Sequence, residues 1–252
     1  MPSFTWIDAV TQGIAGLVYL VVGLSAWRRS PRDERTRVFL GLALASLVTF
    51  TVPGAAWSAG IVDITTLPRS AFQAMSVAMA AGAILLFHFC QVFPWRRPWI
   101  ERHGRLLTAS YAVVPAATWA LVVSAPANLL EISYGYGAAF LIVGAPLVIL
   151  LTMVLPVGGV VSLVKSYRDA RGPADRPLRK PLLWLLVSQI GGGTIGLIFA
   201  PVLTTLATGF TAQMALMLVS WGLGLLTPAA YAAGMARLIG SEAAPAPDAR
   251  RA

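Results

Sequence analysis

The side chains best placed for chemistry gather in one stretch, Ile84 to Arg97, which reads Ile-Leu-Leu-Phe-His-Phe-Cys-Gln-Val-Phe-Pro-Trp-Arg-Arg. His88 is the one ionisable group set deep in a long apolar run, and Cys90 is the only cysteine in the chain. A neutral imidazole donates one hydrogen bond and accepts one, so His88 could bridge helices or bind a metal or haem. Ionisable groups inside a membrane are costly and often functional. Against this, His88 lies near the inner end of its run, where a histidine costs little, and no second His, Asp or Glu within the runs offers a partner. Its expected role is therefore that of a hydrogen-bonded packing residue. Cys90 stands two positions away and does not share the His88 face of a helix. A single cysteine also excludes an intrachain disulfide framework and a multi-cysteine zinc site. The apolar runs hold neither a Ser–His–Asp set nor a carboxylate pair, so no catalytic, cofactor-binding or metal-binding residues are expected.

The remaining candidates belong to helix geometry. Gln91 is the neighbouring polar group, Pro94 breaks the helix, and Trp95 with Arg96 and Arg97 marks a membrane interface. Further on, Pro156 followed by Gly158 and Gly159 predicts a bend, because proline removes a backbone donor and clashes with the preceding turn. Gly192 and Gly196 have the small-xxx-small spacing that lets helix backbones approach closely. Contact within one bundle is the expected use of that pair. The Gly191–Gly193 run is not a phosphate loop, since no strand precedes it and no lysine follows.

These residues need a scaffold, and the composition limits which one. The chain has 252 residues, of which 57% are hydrophobic and 12% charged. A soluble domain carries about 25% charged residues, so too few charges are present to cover a water-facing surface. A helix crossing the hydrocarbon core needs about 20 apolar residues. Seven runs are long enough: 9–27, 38–59, 71–94, 106–124, 137–164, 182–206 and 213–236. The fold expected is all-α, a polytopic membrane protein with seven transmembrane helices over 1–240 and a flexible cytoplasmic tail over 241–252. The first run lacks the positive leader of a signal peptide and reads as a retained helix.

Charge gives the orientation. Of the 19 Lys and Arg residues, all but Arg69 fall after the odd-numbered runs. Cytoplasmic loops collect Lys and Arg, so the N-terminus is expected outside and the C-terminus inside. The net charge of +9 lies in short clusters between apolar runs and predicts no nucleic-acid partner. Membrane lipid is the expected surrounding partner, in the cell's inner membrane.

Two stretches resemble the membrane input region of bacterial seven-transmembrane sensor histidine kinases. One is Phe87-His-Phe-Cys-Gln-Val-Phe-Pro94, similar to a Phe-His-Phe…Phe-Pro pattern at a helix end before a basic loop. The other is Arg176-Pro-Leu-Arg-Lys-Pro-Leu-Leu-Trp184 leading into a Gly-rich helix, followed by Leu226-Thr-Pro-Ala-Ala-Tyr231 and Arg237-Leu238. The resemblance implies an input-type module without the kinase domains, passing its signal to a separate protein partner at the cytoplasmic face. A non-enzymatic sensor or interaction module is therefore the expected function. The alternative is a small-molecule transporter or channel, for which intramembrane acids and bases are scarce.

Overall fold

In a computed structural model of the chain, residues 6–58, 68–124, 145–172, 175–194, 222–223 and 225–238 are described. Among them every regular element is helical and no strand occurs. The helices are α1 (Trp6–Arg29), α2 (Glu34–Ser58), α3 (Arg69–Val92), α4 (Pro98–Ser124), α5 (Ala145–Ile149), α6 (Leu155–Asp169), α7 (Arg179–Thr194) and α8 (225–238). A π-helical turn, Leu150–Val154, joins α5 to α6, and a 3₁₀ turn, Arg176–Leu178, precedes α7. Among the described residues three stretches are long and apolar enough to cross a membrane: Val10–Arg29, Glu34–Val52 and Ser70–Val92.

The chain divides into two compact units, Met1–Ser162 and Leu163–Ala252. In the first, α1 packs on α2, α2 on α3 and α3 on α4. α1 buries Ala15, Tyr19 and Ala26 while Val10, Ile14, Leu17 and Val21 stand exposed. The exposed set recurs every three or four residues, so it forms one stripe on the helix. A scattered exposed leucine means little, whereas a contiguous apolar face marks a surface meant to meet something apolar. Val157, Val161 and Val164 on α6 and Leu183, Val187 and Ile190 on α7 form similar outward stripes.

Rings tie the first three helices together at one end. Tyr19 of α1 stacks on Phe39 of α2 at 6.1 Å, and Phe39 meets Phe89 of α3 edge-on at 5.5 Å. Phe89 then stacks on Phe93 at 5.1 Å, and Phe39, Phe89 and Phe93 are fully buried. Such pairs contribute about 1 kcal/mol each beyond their burial. A second apolar cluster, Ala80, Ile84, Leu107 and Val114, closes α3 against α4, with Leu150, Leu151 and Leu155 packed on it.

The helices depart from the sequence expectation in two places. The basic segment after α3, expected as a loop through Arg105, is helical from Pro98, with a kink at His103 where φ is −118° and ψ is 18°. Near Pro156, where a bend is expected, the irregularity among the described residues is the π-helical turn Leu150–Val154, just before the proline. The physical reason is that proline disturbs the turn on its N-terminal side, clashing with the carbonyl four residues back. Gly158 and Gly159 serve close approach instead: a Cβ at Gly158 would meet the Phe87 ring at 2.9 Å, and one at Gly159 would meet Cys90 Sγ at 3.4 Å. Gly192 lies in α7, whereas Gly196 and the tail 241–252 lie outside the described residues.

Candidate functional site

α3 ends where the sequence says it must. The residue before a proline is pushed out of the helical region, and Phe93 has φ −104° and ψ 134°. Its own N–H still closes on the Phe89 carbonyl at 2.9 Å. The Phe93–Pro94 peptide bond is cis. Pro94 has no N–H, so the carbonyl of Cys90, four residues back, loses its helical donor. Ser162 of α6 supplies one: its hydroxyl donates to the Cys90 carbonyl at 3.0 Å. Serine is the residue type that re-satisfies carbonyls freed by proline in apolar helices. Ser162 Oγ also lies 3.3 Å from Gln91 Oε1. One hydroxyl hydrogen cannot serve both acceptors, and turning the Gln91 amide over lets its nitrogen donate to Ser162 instead. The Gln91 carbonyl accepts from the Arg97 N–H at 2.9 Å.

The start of α2 reaches the same place. Asp33 caps the helix, its Oδ1 accepting from the Arg35 N–H at 2.8 Å. An acid at this position satisfies one of the orphan donors of the first turn. The Arg35 guanidinium folds back onto Asp33, with Nε 3.0 Å from Oδ1 and Nη2 2.6 Å from Oδ2. Its other arm donates to the Pro94 carbonyl at 3.2 Å. Burial raises the Asp33 carboxyl, but the hydrogen bonds and charge of Arg35, aided by Arg37, outweigh it and hold the pKa below its ordinary 3.8. Thr36, fully buried, sets its hydroxyl 2.6 Å from the Ser30 carbonyl and 2.8 Å from that of Asp33.

His88 sits above this junction with two partners. Its Nδ1 lies 2.6 Å from the hydroxyl of Tyr111 on α4. Its Nε2 lies 3.4 Å from Oε1 of Glu34, the first residue of α2, but is buried without completing a hydrogen bond. The other Glu34 oxygen lies 3.4 Å from Nη1 of Arg96. His88 is buried, and the groups it faces, which the sequence left unassigned, are a carboxylate and a phenol. Among the described residues no group of three metal-binding side chains forms. Cys90 packs against Gly159, where an added Cβ would meet its Sγ at 3.4 Å.

His88, Gln91, Pro94, Arg96 and Arg97 all contribute to this junction. The sequence reading missed Asp33, Glu34, Arg35, Tyr111 and Ser162. A signal for the first three was available, since Asp33 followed by Glu34 before an apolar run is a helix-start signature. Tyr111 and Ser162 gave no local signal. The second unit has its own polar group. Ser188 donates to the Leu223 carbonyl at 2.7 Å and lies 2.7 Å from the Thr227 hydroxyl, which Gln189 Nε2 approaches at 3.4 Å. Arg179 is engaged with Tyr167, donating to its hydroxyl at 3.1 Å, and Arg237 donates to the Pro177 carbonyl at 2.8 Å. Arg179 therefore holds its own segment in place, unlike Arg96, whose side chain is half exposed. No protein-family model matches the chain, and no curated protein matches it.

Proposed function

We propose that this chain is a multi-pass protein of the cell's inner membrane, seven spans with the N-terminus outside and the C-terminus in the cytoplasm. It works as a non-enzymatic sensor or interaction module that signals to a separate protein partner. The observation that carries the reading is the junction of Glu34, His88, Arg96 and Tyr111 with the Arg35–Pro94 bond, at the end of α3. It ties three helices by polar contacts next to exposed cations, Arg96, Arg102 and Arg105. A helix shift at the junction therefore changes what those cations present. A ligand or partner drives such a shift only through its different affinity for the two arrangements. The outward apolar stripes and the one-sided cations support the membrane reading. The resemblance to kinase input regions supports the signalling one.

Two experiments test it. Single cysteines placed at Arg32 and Arg102, both exposed, should react with an impermeant reagent only when the cytoplasmic face is open. Labelling from outside intact cells overturns the topology. A photo-crosslinking side chain at Arg102 should then capture one protein partner in native membranes. Recovery of none, together with solute movement into vesicles carrying the purified chain, replaces this reading with the transporter.

A further inference from the structure

Glu34 stands between an imidazole and a guanidinium and closes on neither. Its carboxylate oxygens lie 3.4 Å from His88 Nε2 and 3.4 Å from Arg96 Nη1. Charge-assisted hydrogen bonds of this kind close to about 2.8 Å, so both contacts have room to shorten. His88 meanwhile makes a short contact to Tyr111, 2.6 Å from Nδ1. The groups facing the imidazole are Glu34 from α2, Tyr111 from α4 and Arg96 from the segment after α3. The π-helical turn and the described first-unit residues of α6 add no titratable side chain. Asp33 and Arg35, at the same helix start, are satisfied by one another.

Tautomer arithmetic then limits the neutral state. If Nδ1 carried the hydrogen, the bare Nε2 lone pair would point at a carboxylate oxygen, which is repulsive. The neutral ring therefore carries its hydrogen on Nε2, and the Tyr111 hydroxyl donates to Nδ1. One added proton must go to Nδ1. It reverses the bond to Tyr111, which becomes the acceptor and turns its own hydrogen away, and it makes Nε2–H the donor of an imidazolium. The Glu34 carboxylate then faces a full charge on a buried ring on one side and a half-exposed guanidinium on the other. Burial strengthens the first attraction and solvent weakens the second.

We propose that the His88–Glu34–Tyr111 cluster is a proton-binding site, and that proton occupancy moves the Glu34 carboxylate from Arg96 to His88. The balance is simple: one proton enters from water, no bond to carbon changes, and Arg96 is released to the surface as a free cation. The site supplies a chemical input that the signalling reading leaves open. It does not depend on that reading, because the proton binds whether or not a partner is present.

The test uses the full chain in lipid nanodiscs, with nitrogen NMR of isotope-labelled histidine followed between about pH 5 and 8, the range in which imidazole titrates. His103, the only other histidine, is assigned by its loss in His103→Asn. The expected result is an Nε2–H tautomer of His88 that converts to the doubly protonated ring on acidification. Glu34→Gln should lower the proton affinity of His88 by about tenfold, since an opposite charge within 4–6 Å shifts a titration by at least about one unit. Arg96→Gln should raise it by about threefold, because a competing cation is removed. The opposite signs are what a merely packed histidine does not give. A His88 spectrum constant across the range, or equal midpoints in wild type and both variants, overturns the site. If Glu34→Gln fails to fold, Arg96→Gln on the exposed side still decides: an unmoved midpoint there counts against the proposal. A partner captured by crosslinking alongside a silent His88 would leave the signalling reading standing and remove only this one.

Discussion

Two polar groups among the described residues use different chemistry for the same problem of joining helices. In the second unit, Gln189 donates to Thr227, Thr227 to Ser188, and Ser188 to the Leu223 carbonyl. Each hydroxyl has one hydrogen, so the order is forced once Ser188 gives its own to the carbonyl. Every member is neutral, and Ser188 and Thr227 are buried. In the first unit, the Glu34 carboxylate faces His88 and Arg96, Tyr111 hydrogen-bonds His88, and the buried Nε2 of His88 completes no hydrogen bond. A neutral chain with its donors paired has one arrangement. A charged group with two contacts still open has two. The first holds helices together, and the second can respond.

The largest expected effect breaks the charged side of this comparison at its base. Asp33→Ala removes the cap of α2 and leaves the mostly buried Arg35 without its carboxylate. Capping accounts for about 1 kcal/mol, and the stranded guanidinium for about as much again. A loss of about 2 kcal/mol in detergent-unfolding experiments is expected at neutral pH. The pH dependence follows from the sign of the shift. A carboxyl held below its ordinary 3.8 gives stability that is complete above that value and is lost as pH falls through the lower folded value. Asp33 therefore contributes no slope between about pH 5 and 8. Any slope in that window belongs to another group.

Thr227→Val tests the neutral side. It removes a donor to Ser188 and the acceptor of Gln189 while keeping shape. The expected loss is about 1 kcal/mol and flat with pH, measured by the same unfolding series. A loss that varied between about pH 5 and 8 would mean that the second unit also houses a titrating group, and the contrast between the units would fail.

Much of this was legible in the sequence, and the boundary has a physical cause. The helices announce themselves because apolar length is a one-dimensional property, and α1, α2 and α3 lie within a few residues of the runs 9–27, 38–59 and 71–94. Pro94 ends α3 on schedule because its effect is confined to its own turn. Ser162 was illegible: it matters only because α6 brings it to a carbonyl that Pro94 left free, far away in sequence. Tyr111 was hidden for the same reason, as was the pairing of Glu34 with His88. Arg35 counted as one more cytoplasmic cation, yet its guanidinium is committed to Asp33 and to the Pro94 carbonyl. Charge counting sees the sign of such a residue and not its partner.

Ser162→Ala sharpens the comparison within the first unit. It removes the donor to the Cys90 carbonyl but touches no charge. The expected cost is about 0.6 kcal/mol, the usual size of one side-chain hydrogen bond between helices in an apolar setting. Like Thr227→Val it should be flat with pH, which separates the neutral bond at this junction from the charged one beside it.

The smallest effect on stability, and the most discriminating, is expected from His88→Gln. Glutamine can accept from Tyr111 through its oxygen and donate toward Glu34 through its nitrogen, as the neutral imidazole does. The fold should therefore survive, with a stability change under about 0.5 kcal/mol at pH 8. An amide does not take up a proton in this range, so whatever slope the wild type shows between about pH 5 and 8 should disappear. Asp33 cannot supply that slope, and neither neutral variant removes it. If unfolding curves of His88→Gln kept the wild-type slope, the responsive group would lie elsewhere, and the open contacts of Glu34 would be loose packing only.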